Sequence, residues 1–183
     1  MEHSSEDYRQ LAAYRHCAER ISAQWGRFQK MRTDRLRHGS EVEKVAETIL
    51  EDLFTEVLDW SKGDLLYQER RADIVLSQNG MKYLLLEVKR PGSLHPNSRS
   101  LEDAVMQAQG YAETQSVAQI AVSDGRFLFA TDIADNRNKL IHRAFVDLTQ
   151  RAAIIMHARA SLTFSAACTH EIAAKLSHIY ACT

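Results

Sequence analysis

An acidic and a basic residue lie two positions apart at the end of an apolar run. The run covers residues 83 to 86, and Glu87 and Lys89 follow it. Residues two apart on a strand point to the same face of a sheet. Two ionisable groups in a buried strand cost free energy unless they are paired or bind an ion, so the pair is a candidate site. A simple salt bridge at a strand edge is the alternative interpretation.

A second carboxylate, that of Asp73, lies on the preceding strand-like run, fourteen residues before Glu87. If Asp73, Glu87 and Lys89 share one face, two carboxylates and one ammonium group gather around a common position. These three residues therefore predict a site at which two carboxylates hold one cation beside a lysine.

The turn between the two strands decides whether those faces agree. A two-residue loop at Asn79-Gly80 places Asp73 opposite Leu86, on the wrong face from Glu87. A three-residue loop over 78–80, with Gly80 left-handed and bulged, pairs Asp73 with Leu85 and aligns the site. We predict the three-residue loop.

A third carboxylate is predicted on a helix before the hairpin. At 100° per residue, Glu43 falls inside the apolar stripe that contains Ala46, Ile49 and Leu50, so its side chain is expected to face inward. A capping box with Ser40 also explains Glu43 without a catalytic role. Glu47, at the margin of the stripe, is the substitute candidate.

The elements that must position these residues follow from periodicity and turn signals. Helices are predicted at about 7–36, 41–59 and 100–115, and from about 145 onward. Strands are predicted at 71–77, 81–89, 117–123 and 126–131. This order indicates an α/β fold with three layers, a mixed sheet between helices.

Composition restricts the class of protein. The net charge is -1 and the pI is about 6.7, so any nucleic-acid binding must be local. The densest basic stretch contains Lys30 and Arg35, which form either a phosphate-contacting face or a solvated one.

We expect a cytoplasmic protein without a membrane contact, because no apolar run is long enough to span a bilayer. No glycine is followed by a lysine, so this sequence lacks the phosphate-binding Gly-Lys-Ser/Thr loop of a motor ATPase.

The ordered motifs resemble the PD-(D/E)XK nuclease superfamily, and within it the N-terminal nuclease domain of type I restriction-enzyme motor subunits. The resemblance rests on Glu43 in its helix, Ala72-Asp73, the segment 87–92 with the sequence Glu-Val-Lys-Arg-Pro-Gly, and Gln107 with Tyr111. It covers roughly residues 40 to 132. Alanine at position 72 departs from the proline of the family name, without removing a ligand.

The resemblance implies a restriction-endonuclease-like fold and an Mg²⁺-dependent endodeoxyribonuclease in restriction, defence or repair, with Mn²⁺ as a substitute ion. Asp73, Glu87 and the carbonyl of Val88 would bind the ion, and Glu43 would hold a second ion or a bound water. Lys89 would orient the attacking water. Gln107 and Tyr111 would position the residues of the metal site or the DNA backbone.

DNA is the expected partner, and Arg90 and Arg99 beside the site are candidates for phosphate contacts, with ordinary exposed arginines as the alternative. A separate motor or specificity subunit, or a homodimer mate, is the other expected partner. A catalytically silent or partner-activated binding module is the alternative function. The predicted organisation is an N-terminal helical extension at 1–38, a nuclease core at 39–135 and a C-terminal helical region at 136–183.

Overall fold

The computed structural model describes residues 12–38, 42–95, 99–133 and 144–150. Three α-helices are present in this part of the chain: α1 (Ala12–His38), α2 (Val42–Asp52) and α3 (Arg99–Gln115). A π-helical turn, Leu53–Val57, extends α2, and a short 3-10 helix covers Lys62–Asp64. The strands are β1 (Leu65–Glu69), β2 (Ala72–Gln78), β3 (Met81–Val88), β4 (Gln119–Ser123), β5 (Phe127–Asp132) and β6 (Ala144–Asp147).

The six strands form one sheet whose spatial order is the same as the chain order. All neighbours pair antiparallel except β3 and β4, which are parallel. A parallel pair needs a long crossover connection, and α3 supplies it. The predicted mixed sheet is confirmed.

Helices cover both faces of this sheet and give two apolar cores. The first core joins α1 and α2 to one face, with Ile49, Leu50 and Leu86 fully buried in it. The second joins α3 to the other face through residues such as Ala108 and Leu85. The three-layer α/β/α class expected from the sequence is therefore the observed one.

Helix α1 packs against the same core as the sheet. Four of its side chains, Cys17, Ile21, Trp25 and Phe28, are buried at helical spacing. Its polar residues also reach the sheet. Gln29 Nε2 donates to the Leu148 carbonyl at 2.6 Å, and Arg32 Nε donates to the Gly125 carbonyl at 2.8 Å. The division of the chain into an extension, a core and a C-terminal region stays a prediction.

Two strands are missing from the sequence prediction. Strand β1 has five residues, no β-branched side chain and no glycine or asparagine in the turn after it, so its local signals are too weak to mark it. Strand β6 falls at 144–147, where the prediction of helix from about 145 is wrong. Pairing with β5 stabilises this short segment as a strand. The remainder of the predicted C-terminal helix lies outside the described residues.

The predicted three-residue loop between β2 and β3 is also wrong. Gln78 pairs with Met81 across a two-residue turn, Asn79-Gly80, whose backbone φ angles are 53° and 77°. A bulge then shifts the register, because Ser77 pairs with Lys82 whereas Leu76 pairs with Leu84. Tyr83 is the extra residue of the bulge. The one-residue shift reverses the side-chain alternation, so the pairing continues as Ile74 with Leu86.

No described helix has the length and apolar character that crossing a membrane requires.

The close packing of the β4–β5 turn on α2 gives a test of the fold. Gly125 has a φ of +75°, and a Cβ atom added to it would lie 3.2 Å from Ile49 Cδ1. We expect Gly125→Ala to lower the free energy of unfolding by about 1 to 3 kcal/mol, because alanine is strained at positive φ and crowds the helix. Urea unfolding monitored by circular dichroism measures the change.

Gly26→Ala is the matched control. Gly26 lies inside α1, and a Cβ atom there would meet nothing within 4 Å. Helix propensity alone predicts an increase of about 1 kcal/mol in stability. A Gly125→Ala protein as stable as the parent would contradict the packing of this turn.

Candidate active site

The buried end of β3 brings the acid and the lysine together. The Glu87 side chain is only 4% exposed, the Lys89 side chain is 28% exposed, and Lys89 Nζ lies 2.7 Å from Glu87 Oε1. Burial raises the pKa of Glu87, and the charges of Asp73 and Glu43 act in the same direction, whereas Lys89 opposes the shift. The second oxygen, Glu87 Oε2, is buried and has no hydrogen-bond partner among the described residues.

Asp73 lies on β2 directly beside this pair. Ile74 pairs with Leu86 in an antiparallel register, so the preceding residue of β2, Asp73, falls beside Glu87. The Val88 backbone N–H donates to Asp73 Oδ2 at 2.7 Å, which holds the carboxylate against β3. Burial raises the pKa of Asp73, and the hydrogen bond from Val88 lowers it. The predicted gathering of Asp73, Glu87 and Lys89 on one face is therefore found, through a bulge instead of the predicted loop.

Two glutamates of α2 contribute charge to the site but lie at different depths. Glu43 is exposed, so the prediction that it faces inward is wrong. Its position in the first turn of α2 lies beyond the buried part of the stripe, which begins at Ala46. The Glu47 side chain is only 12% exposed and forms an ion pair with Lys44 at 2.6 Å. The charge of Glu47 raises the pKa of Asp73, as that of Glu43 raises the pKa of Glu87.

Helix α3 supports the lysine from the other side. Lys89 Nζ donates to Gln107 Oε1 at 3.0 Å, and Gln107 Nε2 donates to the Tyr111 hydroxyl at 3.1 Å. Gln107 and Tyr111 are one helical turn apart, so they lie on the same face of α3. The predicted pair thus contacts the site as a chain of hydrogen bonds that ends on the ammonium group. Its role in catalysis stays a prediction.

Two carboxylates, those of Asp73 and Glu87, lie close together in the site. In the part of the chain that the structure describes, no group of three or more His, Cys, Asp or Glu side chains is arranged to hold a metal ion. A metal at this position would therefore depend on Asp73, Glu87 and a backbone oxygen such as that of Val88. Water molecules would complete its coordination, as is usual for Mg²⁺.

Asp124, in the turn between β4 and β5, is a residue of the site region that was not among the predicted site residues. It is fully buried, and its two oxygens accept four backbone N–H bonds. Oδ2 accepts from Gly92 at 3.0 Å and from Leu94 at 3.2 Å. Oδ1 accepts from Arg126 at 2.9 Å and from Phe127 at 2.8 Å. One carboxylate therefore ties the loop that follows Lys89 to the β4–β5 turn.

The residues predicted to contact phosphates have different environments. Arg90, Arg99 and Lys30 are exposed. Arg35 forms an ion pair with Asp52 at 3.3 Å. The ion pair gives Arg35 a structural role, and the hydrogen bond from Arg32 to Gly125 does the same for its neighbour on α1. Phosphate binding by any of them stays a prediction.

We expect Asp124→Asn to lower the free energy of unfolding by about 2 to 4 kcal/mol. Asparagine has one acceptor oxygen and one amide group, so two of the four backbone N–H groups lose their acceptor in either orientation. Hydrogen exchange should show faster exchange at the Gly92 and Leu94 amides, or at those of Arg126 and Phe127.

Asp147→Asn serves as the control for the loss of a turn carboxylate. Asp147 Oδ1 accepts from the Thr149 backbone N–H at an exposed turn, and the single oxygen of asparagine can still accept this bond. The expected loss is below about 1 kcal/mol. Equal losses in the two variants would refute the role given to Asp124.

The raised pKa values of Asp73 and Glu87 predict how stability depends on pH in metal-free protein. Their ordinary values are 3.8 and 4.5, and burial raises both in the folded state. Above the ordinary values the folded state therefore still holds protons that the unfolded state has lost. The free energy of unfolding falls as pH rises from the ordinary values through the raised ones. Urea unfolding in EDTA at about pH 5 and about pH 7 measures the loss.

Asp73→Asn removes one of the two groups while keeping an acceptor for the Val88 N–H. Its loss of stability between the two pH values should be smaller than that of the parent, because one carboxyl no longer has to ionise in a buried position. The same pH dependence in both proteins would exclude this origin.

Comparison with protein families places this geometry in a known context. The family described as type I restriction enzyme R protein N terminus matches residues 2–137. The match includes α1 as well as the candidate site, so it extends beyond the segment of about 40 to 132 over which the motifs resemble nucleases. No curated protein and no solved structure matches the chain. Because the match covers well over half of the 183 residues, the chain belongs to the family of type I restriction enzyme R protein N termini.

Proposed function

We propose that this protein is a metal-dependent endonuclease of the PD-(D/E)XK type that hydrolyses phosphodiester bonds in DNA. The observation that carries the proposal is the arrangement of Asp73 at the start of β2 with Glu87 and Lys89 at the end of β3. In particular, the buried Glu87 Oε2 has no hydrogen-bond partner among the described residues. Membership of a restriction-enzyme family supports DNA as the substrate.

The donor set fits a magnesium ion. Asp73 and Glu87 offer oxygens, and a backbone carbonyl such as that of Val88 adds a third ligand of the same hard type. A buried carboxylate oxygen without a partner is costly unless a cation completes its environment. When bound here, Mg²⁺ or Mn²⁺ would supply Lewis acidity toward the phosphate and lower the pKa of a coordinated water.

The side chains of the protein would do the remaining work. Lys89 would orient the attacking water and offset the charge that develops on the phosphate. The hydrogen bond from Lys89 Nζ to Gln107 Oε1 would keep the ammonium group near the two acids when Glu87 binds a metal. Glu47, less exposed than Glu43, is the better placed of the two α2 glutamates to hold a water of the ion.

A partner-activated form of the same enzyme is the second candidate. The observation that favours it is the 2.7 Å contact between Lys89 Nζ and Glu87 Oε1, which must loosen before both Glu87 oxygens can serve a metal. DNA, or a separate motor or specificity subunit, would supply the energy for that exchange on binding. In this case the isolated protein binds the metal but cleaves only when the partner is present.

We expect the protein to nick supercoiled plasmid in Mg²⁺ or Mn²⁺ and to lose this activity in EDTA. Lys89→Met should lower the nicking rate by roughly 100-fold or more, because it removes the charge beside the reacting phosphate. Asp73→Asn should lower the rate similarly and weaken Mg²⁺ binding measured by calorimetry, since it removes one of two acidic ligands.

Lys82→Met is the matched control for Lys89→Met. Lys82 lies on the same strand, and its Nζ contacts Glu69 Oε1 at 3.1 Å and Gln115 Oε1 at 2.8 Å. It therefore has an acid and a glutamine as partners, as Lys89 does, but lies in a different network. Nicking that survives Lys89→Met, or that falls equally in Lys82→Met, would contradict the proposed role of Lys89.

A further inference from the structure

Three residues with left-handed backbone lie just before the strand that carries Asp73. Gln68, Arg70 and Arg71 have φ angles of 54°, 49° and 77°, and none of them is glycine. This conformation is unfavourable for residues with a Cβ atom, and asparagine, aspartate and glycine adopt it most readily. Such strain persists only where the surrounding structure enforces it, and it is often found at functional sites.

The second hairpin of the same sheet shows what the backbone alone requires. The turn Asn79-Gly80 also has positive φ at both central residues, and it has the residue types that favour this geometry. The turn Arg70-Arg71 between β1 and β2, which we call the arginine turn, has the same backbone and neither residue type. The geometry of the turn therefore does not explain its arginines.

The surroundings of the arginine turn hold it beside the candidate active site. The Gln68 side chain forms a hydrogen bond with the Asp73 carboxylate. On the other side, Gln115 Nε2 donates to the Glu69 carbonyl at 3.0 Å, and Lys82 Nζ reaches the Glu69 carboxylate. The turn is thus connected both to a proposed metal ligand and to α3. These contacts hold the backbone from which the two arginine side chains extend.

The two guanidinium groups are available to a ligand. The Arg70 side chain is 69% exposed, and its Nε is 4.0 Å from Glu69 Oε1, the limit of an ion pair. Arg71 is exposed, and none of the ion pairs between described residues includes it. Guanidinium groups bind phosphate through two parallel hydrogen bonds, and they keep their charge at any physiological pH.

We propose that Arg70 and Arg71 bind backbone phosphates of the DNA next to the phosphodiester bond that lies at Asp73 and Glu87. The inference rests on the proposed function for the identity of the ligand, but the contact requires no hydrolysis. It also accounts for the strained turn, because a local cost in stability is retained where the side chains contribute to binding.

The test compares Arg70→Asn/Arg71→Gly with its parent, both in the Lys89→Met background so that cleavage does not consume the probe. The substitution gives the turn the residues of the second hairpin, so we expect Tm to rise by about 2 to 4 °C. Affinity for a fluorescent DNA duplex, measured by anisotropy, should fall about tenfold at low salt, equally for unrelated sequences. The slope of log Kd against log salt concentration should decrease by about 1 to 2.

Arg70→Lys/Arg71→Lys is the charge-matched control and should keep the salt slope of the parent. An unchanged slope and affinity in the Asn-Gly variant would overturn the inference, as would a parent that binds no duplex. An equal decrease of the salt slope in the Lys-Lys variant would also overturn it, because both positive charges are still present in that variant. Loss of binding by the Asn-Gly variant alone supports phosphate binding by the arginine turn, even if the unmodified protein nicks no plasmid. If nicking is observed and the slope is unchanged, only the arginine turn is excluded.

Discussion

The structure of the site depends on the cost of placing two carboxylates side by side at the buried edge of two strands. Asp73 and Glu87 both have raised pKa values, because burial removes water from groups that also repel each other. Two contacts keep them in place, the Val88 N–H bond to Asp73 and the Lys89 ammonium group on Glu87. One oxygen of Glu87 remains without a partner among the described residues. The neighbouring groups therefore satisfy the buried carboxylate oxygens of this site only in part.

The surrounding architecture serves to keep this arrangement rigid. The crossover helix α3 contacts Lys89 through Gln107, and the buried Asp124 ties the loop after Lys89 to the β4–β5 turn. Helix α1 reaches the same turn through Arg32. Helix α1, which lies outside the predicted core at 39–135, is thus connected to the site by a short chain of contacts, in agreement with a family match that begins at residue 2.

Much of the fold and of the site could be predicted because the relevant signals are local. Runs rich in Val, Ile, Leu and Tyr on either side of a turn signal marked β2 and β3, and a capping signal marked the start of α3. The observed bounds of these elements are within a residue or so of the predicted ones. Strands β1 and β6 could not be found, since five- and four-residue segments become strands only by pairing with β2 and β5. Glu43 was placed inward by an ideal helical wheel, which does not show where along its length a helix leaves the core.

The residue types and their order along the chain were sufficient to indicate an α/β class, a paired acid and lysine, and a supporting glutamine and tyrosine, because each is a property of neighbours in sequence. Whether Asp73 and Glu87 face the same side was not such a property. A two-residue turn would separate them, and the bulge at Tyr83 reunites them. That bulge, the four bonds of Asp124 and the placement of Arg70 and Arg71 arise from packing between segments distant in the chain, where no local pattern specifies the register.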